Sequence, residues 1–157
     1  MTKKEYTGIL CQRRIEANVI RAFHDELTRE FGLERSRALV ASVIHQLAHQ
    51  KGRELRVAHP SGDLAAIINL WESLSSGGAL DIDFFEKSAE CLHFRVTRCG
   101  YADAYREMGI SPELGTLLSC DRDEPLLQGY SDKITIERSR TIMDGEKYCE
   151  FIYKMKK

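Results

Sequence analysis

The chain has 157 residues, 43% of them hydrophobic and 30% charged, with a formal net charge of −1. That length suits one domain with a full apolar core, and the composition excludes disorder and fibrous repeats. A near-neutral balance leaves no electrostatic footprint for nucleic acid or an anionic membrane, so neither is expected as a partner.

The opening MTKKEYTGILCQRRIE has no apolar run of signal-peptide length, and nothing later approaches a membrane span. A cytoplasmic chain is the expectation, with the basic ends TKK and KMKK as solvated tails. The five cysteines, Cys11, Cys91, Cys99, Cys120 and Cys149, are odd in number and irregular in spacing. In a reducing compartment this argues against a disulfide framework.

Over 12–31 the residues Ile15, Val19, Phe23, Leu27 and Phe31 recur every fourth position, which predicts a helix buried along that stripe and stopped by Gly32. A second helix is predicted over 34–57, with Val40, Val43, Ile44, Leu47 and Leu55 inward. Pro60 ends it, and Ser61 or Asp63 caps a third helix carrying Leu64, Ile67, Ile68, Trp71 and Leu74 on one face. The period then becomes two. ALDIDFF and CLHFRVTR read as strands joined at KSAE, with Leu80, Ile82 and Phe84 facing the same way as Leu92, Phe94 and Val96. YADAYREMG and SPELGTLLS read as short helices, the first closed by Gly109 and the second opened by Ser111 and Pro112. KITIERSRTIM and KYCEFIYKM are strands again, with Asp144 and Gly145 predicting a tight hairpin. The expected fold class is α+β over the whole chain as one domain. N-terminal helices pack on an antiparallel four-stranded sheet made of two hairpins with short helices between them.

Strand parity identifies polar residues directed inward. Arg138 and Arg140 follow the register of Ile134 and Ile136, and Arg98 follows that of Leu92, Phe94 and Val96. Either these arginines line a polar pocket that clamps a carboxylate or phosphate, or the sheet frays or bulges there and they pair with surface acids. Cys149 shares the parity of Phe151 and Tyr153. Cys99 lies one step past Arg98, where Gly100 lets the chain bend and re-aim it. Cys120 precedes Asp121, Asp123 and Glu124. Three readings stay open for Cys99, Cys120 and Cys149. They could ligate a metal, with Asp123 or water in a fourth position, although no C-x-x-C pair is present. Cys120 could be a nucleophile, although the acids beside it raise a thiol pKa unless Arg98, Arg122 or Arg138 offsets them. All three could simply be buried thiols. His45 and His49 have metal-ligand spacing, but they point away from the apolar stripe and lack a metalloprotease glutamate between them.

The run VTRCGYADAYREMGISPELGTLLSCDRD, then TIMDGEKYCEFIY, with RRIEANVI and EFG earlier, resembles the family of L-2-amino-thiazoline-4-carboxylic acid hydrolases. The residues that match its pattern are Cys99 after Thr-Arg, Cys120 with Asp123, Arg138, and Cys149 before Phe-x-Tyr. A looser similarity links the fold to small-molecule-binding domains of the 4-vinyl reductase type, some of which hold zinc through cysteines. The resemblance implies hydrolytic opening of a cyclic isothiourea that bears a carboxylate, a small-molecule substrate. It makes Cys120, Asp123, Cys99 and Cys149 the catalytic set, and Arg138 the carboxylate clamp, with Arg98 and Tyr101 beside it. Zinc held by Cys99, Cys120 and Cys149 is the cofactor it admits. The alternative is a non-catalytic domain that senses a small molecule or a metal.

Overall fold

The computed structural model describes residues 8–157, and the basic tail at 2–4 lies outside them. Two long helices, α1 (Gly8–Phe31) and α2 (Leu33–Ala58), fold back on each other through Gly32. That residue holds φ +82°, a left-handed value open to glycine at little cost. Helix α3 (Leu64–Ser76) begins at Asp63, whose side chain accepts from the Ala65 N–H at 3.0 Å. Strands β1 (Leu80–Lys87), β2 (Cys91–Cys99), β3 (Ile134–Arg138) and β4 (Cys149–Met155) form one sheet in the order β1-β2-β4-β3, with every neighbouring pair antiparallel. The two hairpins are thus joined side by side through β2 and β4. Between them lie α4 (Gly100–Glu107), α5 (Pro112–Leu118), a 3-10 turn (Cys120–Arg122) and α6 (Asp123–Tyr130).

The sheet has one covered face. Trp71 of α3 lies 4.6 Å from Phe94 and 4.8 Å from Phe151, ring centre to ring centre, and its indole N–H donates to the Tyr153 hydroxyl at 3.3 Å. On the other face His93, Arg95 and Glu150 pair with one another across β2 and β4. The alternation read from CLHFRVTR and KYCEFIYKM is therefore an inside-outside pattern.

Three expectations need correction, and one helix is additional. The stripe Ile15, Val19, Phe23 and Phe31 is not the buried face of α1, since Ile15 and Phe23 are 67% and 65% exposed. The buried residues are Leu10 and Ala17. The inward face of α1 is set by α2 and α4, and the small Ala17 and Ser36 let the helices approach. The Ser36 hydroxyl donates to the His24 carbonyl at 3.0 Å. On α2 the buried line is Ser36, Val40, Ile44, Ala48 and Gly52, while Val43 and Leu47 are half exposed.

The second hairpin is not tight. Strand pairing stops at Arg138 and resumes at Cys149, and Asp144 and Gly145 sit within a separate turn over 139–148. There Asp144 accepts from the Thr141 hydroxyl at 2.7 Å, and Met143 is buried against Gly115.

Residues 123–130, to which the sequence pattern assigns no element, form α6. A proline in the first turn loses no helical hydrogen bond, and Asp123 and Glu124 suit the positive N-terminal end of the helix. Helix α6 lies directly on α2. A Cβ at Gly52 would stand 2.0 Å from the Leu126 carbonyl oxygen, and one at Gly129 would stand 2.1 Å from the His49 carbonyl oxygen. Only glycine permits backbones this close, and the contact seats α6 on α2.

Finally, Arg98 points outward. Ile82 pairs with Val96 but Asp81 pairs with Arg98, so Thr97 is an extra residue in β2. This bulge inverts parity beyond it. Arg98 then meets Asp81 across the strands, with Nε 2.9 Å from Oδ2, and Cys99 turns into the core. Arg140 is also exposed, its guanidinium 5.0 Å from the centre of the Tyr148 ring.

Candidate functional site

Each of the three cysteines reaches the interior for a local reason. Cys99 follows the bulge and caps α4, its Sγ accepting from the Ala102 N–H at 3.4 Å. Gly100 makes this turn feasible, because a Cβ there would stand 2.6 Å from the Ala79 carbonyl oxygen. Cys120 opens the 3-10 turn that leads into α6. Cys149 opens β4 with inward parity, and its Sγ accepts from the Ile142 N–H at 3.2 Å.

These thiols meet at one cavity of about 570 Å³, whose wall also includes Asp123, Tyr101, Trp71, Phe151 and Tyr153. A second cavity of about 600 Å³ shares Cys120 and Asp123 with the first and adds His45, Asp121, Glu124 and Arg138. The pair Cys120 and Asp123 therefore lies on the wall of both.

Arg138 is tied to this pair. Its Nη1 donates to Asp123 Oδ2 at 2.9 Å and to the Cys120 carbonyl, and its Nη2 lies 3.9 Å from Asp121. Inward parity brings Arg138 to the site as the strand pattern implies, but its guanidinium is engaged with the protein's own acids. Arg98, outside the cavity wall and paired with Asp81, is removed from it by the bulge. Tyr101 lies on the wall.

Burial dominates the electrostatics. It pushes the Asp123 carboxyl up to about 6 despite the Arg138 guanidinium, and the Cys99 thiol up to about 11. Cys120 is raised further, by burial and then by the Asp123 charge, and Cys149 is raised chiefly by burial. Burial also pushes Tyr101 up to about 12, so it remains a hydroxyl donor. At neutral pH the three cavity cysteines are thiols, and Asp123 is the group poised to exchange a proton. Iodoacetamide at pH 7 followed by peptide mass spectrometry should accordingly label the exposed Cys11 well before Cys99, Cys120 or Cys149. Rapid labelling of Cys120 would show a thiolate that this environment disfavours.

The zinc expectation finds no ligand set. Among the described residues, no three His, Cys, Asp or Glu side chains form a group that could hold a metal ion. Cys99 and Cys149 each accept a backbone N–H instead, and a raised thiol pKa opposes the deprotonation that metal binding requires. His45 and His49 are both exposed on α2. No described helix is long and apolar enough to cross a membrane.

The strand-based reading missed another part of the cavity wall, formed by Arg13, Glu16 and Arg122. Glu16 Oε2 lies 2.7 Å from Arg13 Nη1 and 3.6 Å from Arg122 Nη2, so the two guanidinium groups share one carboxylate oxygen. Burial and the neighbouring Arg13 charge lower the Arg122 pKa. The one sequence signal was the i, i+3 spacing of Arg13 and Glu16 within RRIE, which marks a helical ion pair but not a cavity.

No curated protein matches the chain in sequence. Among the solved structures similar to it are two that span most of its length. One is the phenol-responsive sensory domain of the transcription activator PoxR with phenol, 14% identical, covering 88% of this chain and 73% of that one at a TM-score of 0.48. The other is subunit 3 of the trafficking protein particle complex from Naegleria fowleri, covalently bound to palmitic acid. It is 8% identical and covers 94% of this chain and 96% of that one at a TM-score of 0.51, a likeness of fold alone. The L-2-amino-thiazoline-4-carboxylic acid hydrolase family model matches residues 12–153, nearly the full length and all three cavity cysteines, and the chain belongs to that family.

Proposed function

We propose that the protein hydrolyses a small heterocycle bearing a carboxylate, of the cyclic isothiourea or amidine class, in the cavity of Cys99, Cys120 and Cys149. One observation carries this reading. A carboxyl with its pKa near neutrality, Asp123, stands on the same wall as three thiols and is oriented by a single arginine, Arg138. Opening such a ring requires attack on the carbon between sulfur and nitrogen, and proton delivery to the departing ring atom. Asp123, ionised above about pH 6, takes the proton of the attacking group. The charge that keeps the Cys120 proton in place at rest belongs to the base that can remove it. Cys120 attacks the ring carbon, the bond from that carbon to a ring heteroatom breaks, and the Asp123 proton passes to the heteroatom. Water then displaces Cys120. Arg138 acts here as a positioning residue for Asp123, while Cys99, Cys149 and Tyr101 shape the floor on which the ring lies.

Incubation with 2-aminothiazoline-4-carboxylate should consume it and release a new thiol or amine, followed by chromatography and thiol titration. A ligand that binds without turnover would instead favour a non-catalytic small-molecule-binding domain. That second reading draws on the protonated state of all three cavity thiols.

A further inference from the structure

At the α1 end of the cavity, two guanidinium groups face one carboxylate. Arg13 and Arg122 share Glu16, and their side chains are only 22% and 14% exposed. Water therefore screens their surplus positive charge weakly. The bond from Arg122 Nε to the Leu118 carbonyl, 2.6 Å long, orients that guanidinium without neutralising it. The other acid on the wall, Asp123, is paired with Arg138, and Lys51 is paired with Glu54 at 3.1 Å. Taken by itself, the Arg13, Glu16 and Arg122 group sets two guanidinium groups against one carboxylate on the cavity wall, while Asp121 and Asp123 share Arg138. The Tyr101 phenol stands within the fields of Arg13 and Arg122 as well as those of Cys99 and Asp123. Tyr101 lines the same cavity as Arg13, Arg122, Cys99 and Asp123.

We propose that Arg13 and Arg122 form an anion site that binds the carboxylate of a small heterocyclic acid, holding its ring in the cavity that Tyr101, Cys99 and Cys120 also line. The identity of the acid rests on the hydrolase reading above, whereas the anion site rests on the charge arrangement. A carboxylate suits the place because each guanidinium offers paired N–H donors in a plane, and Glu16 leaves some of them unused.

Calorimetric titration with thiazole-4-carboxylate, which cannot be ring-opened by this route, tests the proposal, with thiazole as the control lacking the charge. The wild-type chain should bind the carboxylate saturably and thiazole far more weakly. Arg13→Gln and Arg122→Gln should each weaken carboxylate binding about ten- to a hundredfold. Arg122→Gln loses a bond to the backbone and could unfold, but Arg13→Gln has no such bond to lose. Glu16→Gln should have the opposite effect and tighten binding, a change that a purely structural ion pair would not produce. The proposal is overturned if the wild type does not bind, or if correctly folded Arg13→Gln and Glu16→Gln variants bind as the wild type does. Turnover of 2-aminothiazoline-4-carboxylate is scored separately. Arginine-dependent binding with no ring opening leaves the anion site standing and removes the hydrolase. Ring opening with arginine-independent binding does the reverse.

Discussion

The Asp123→Asn variant is expected to lose ring-opening activity by about 10²- to 10⁴-fold, the usual contribution of a general base, while still folding. Asparagine keeps an oxygen that can accept from Arg138 Nη1, so the site loses its proton acceptor more than its shape. Activity measured on a variant with an unchanged circular dichroism spectrum checks this. Retention of wild-type turnover would remove Asp123 from the mechanism.

The same carboxyl leaves a second signature in stability. Its pKa is about 6 in the folded chain and near 3.9 when unfolded. Between these values the folded state holds the proton that the unfolded state releases. The stability contributed by this group is therefore fully present below about pH 4 and is lost as pH rises through 6, to a total of about 2–3 kcal/mol. Groups with lowered pKa values pull the other way, among them Asp81 through its Arg98 hydrogen bond and Glu150 through His93. The observable is thus the difference between wild type and Asp123→Asn in urea unfolding at pH 4 and pH 7. Relative to the wild type, the variant should gain stability as pH rises. A pH-independent difference would show that the Asp123 carboxyl is not raised.

Alanine at either helix-crossing glycine is expected to be the most damaging small substitution in the chain. The Gly52→Ala and Gly129→Ala variants each place a methyl about 2 Å from a carbonyl oxygen of the facing helix. Backbone cannot rotate away as a side chain can, so α6 must shift, at a cost of about 3 kcal/mol. For a chain of this size that corresponds to a melting temperature lower by roughly 6–12 °C. Because α6 starts at Asp123, the displacement also moves that carboxyl relative to Arg138 and Cys120. Activity should therefore fall even at temperatures where the variant remains folded. Thermal melts and turnover assays on both variants test this, and wild-type melting would mean that the helices do not touch there. By contrast, Gly145→Ala faces open space and should cost only what its positive φ imposes.

Much of the architecture could be read locally. Periodicities of 3.6 and 2, the Asp63 and Ser111 caps, and the glycine stop at position 32 recur in the structure because each depends on a few neighbouring residues. The inward parity of Cys149 and Arg138 was legible for the same reason, since β3 and β4 run without interruption up to those residues. Features that depend on a distant partner were not. The bulge at Thr97 is defined by its pairing with β1, and it reverses the sides assigned to Arg98 and Cys99. The exposed stripe of α1 has helical spacing, but periodicity identifies a face and not what covers it. Helix α6 escaped notice because it takes its place from two glycines on crossing helices rather than from its own pattern.

The sequence by itself determined the fold class, the family, and three cysteines with an aspartate and an arginine in its C-terminal half. Short-range propensity and residue identity suffice for those. Tertiary structure alone decided that the thiols share one cavity, that Arg138 is bound to Asp123, and that Arg13 and Arg122 gather around Glu16 on the same wall. Arg13 and Arg122 belong to α1 and to a turn more than a hundred positions later in the chain. Burial, charge balance and proton affinity arise only once such segments are packed against each other and water is excluded from between them.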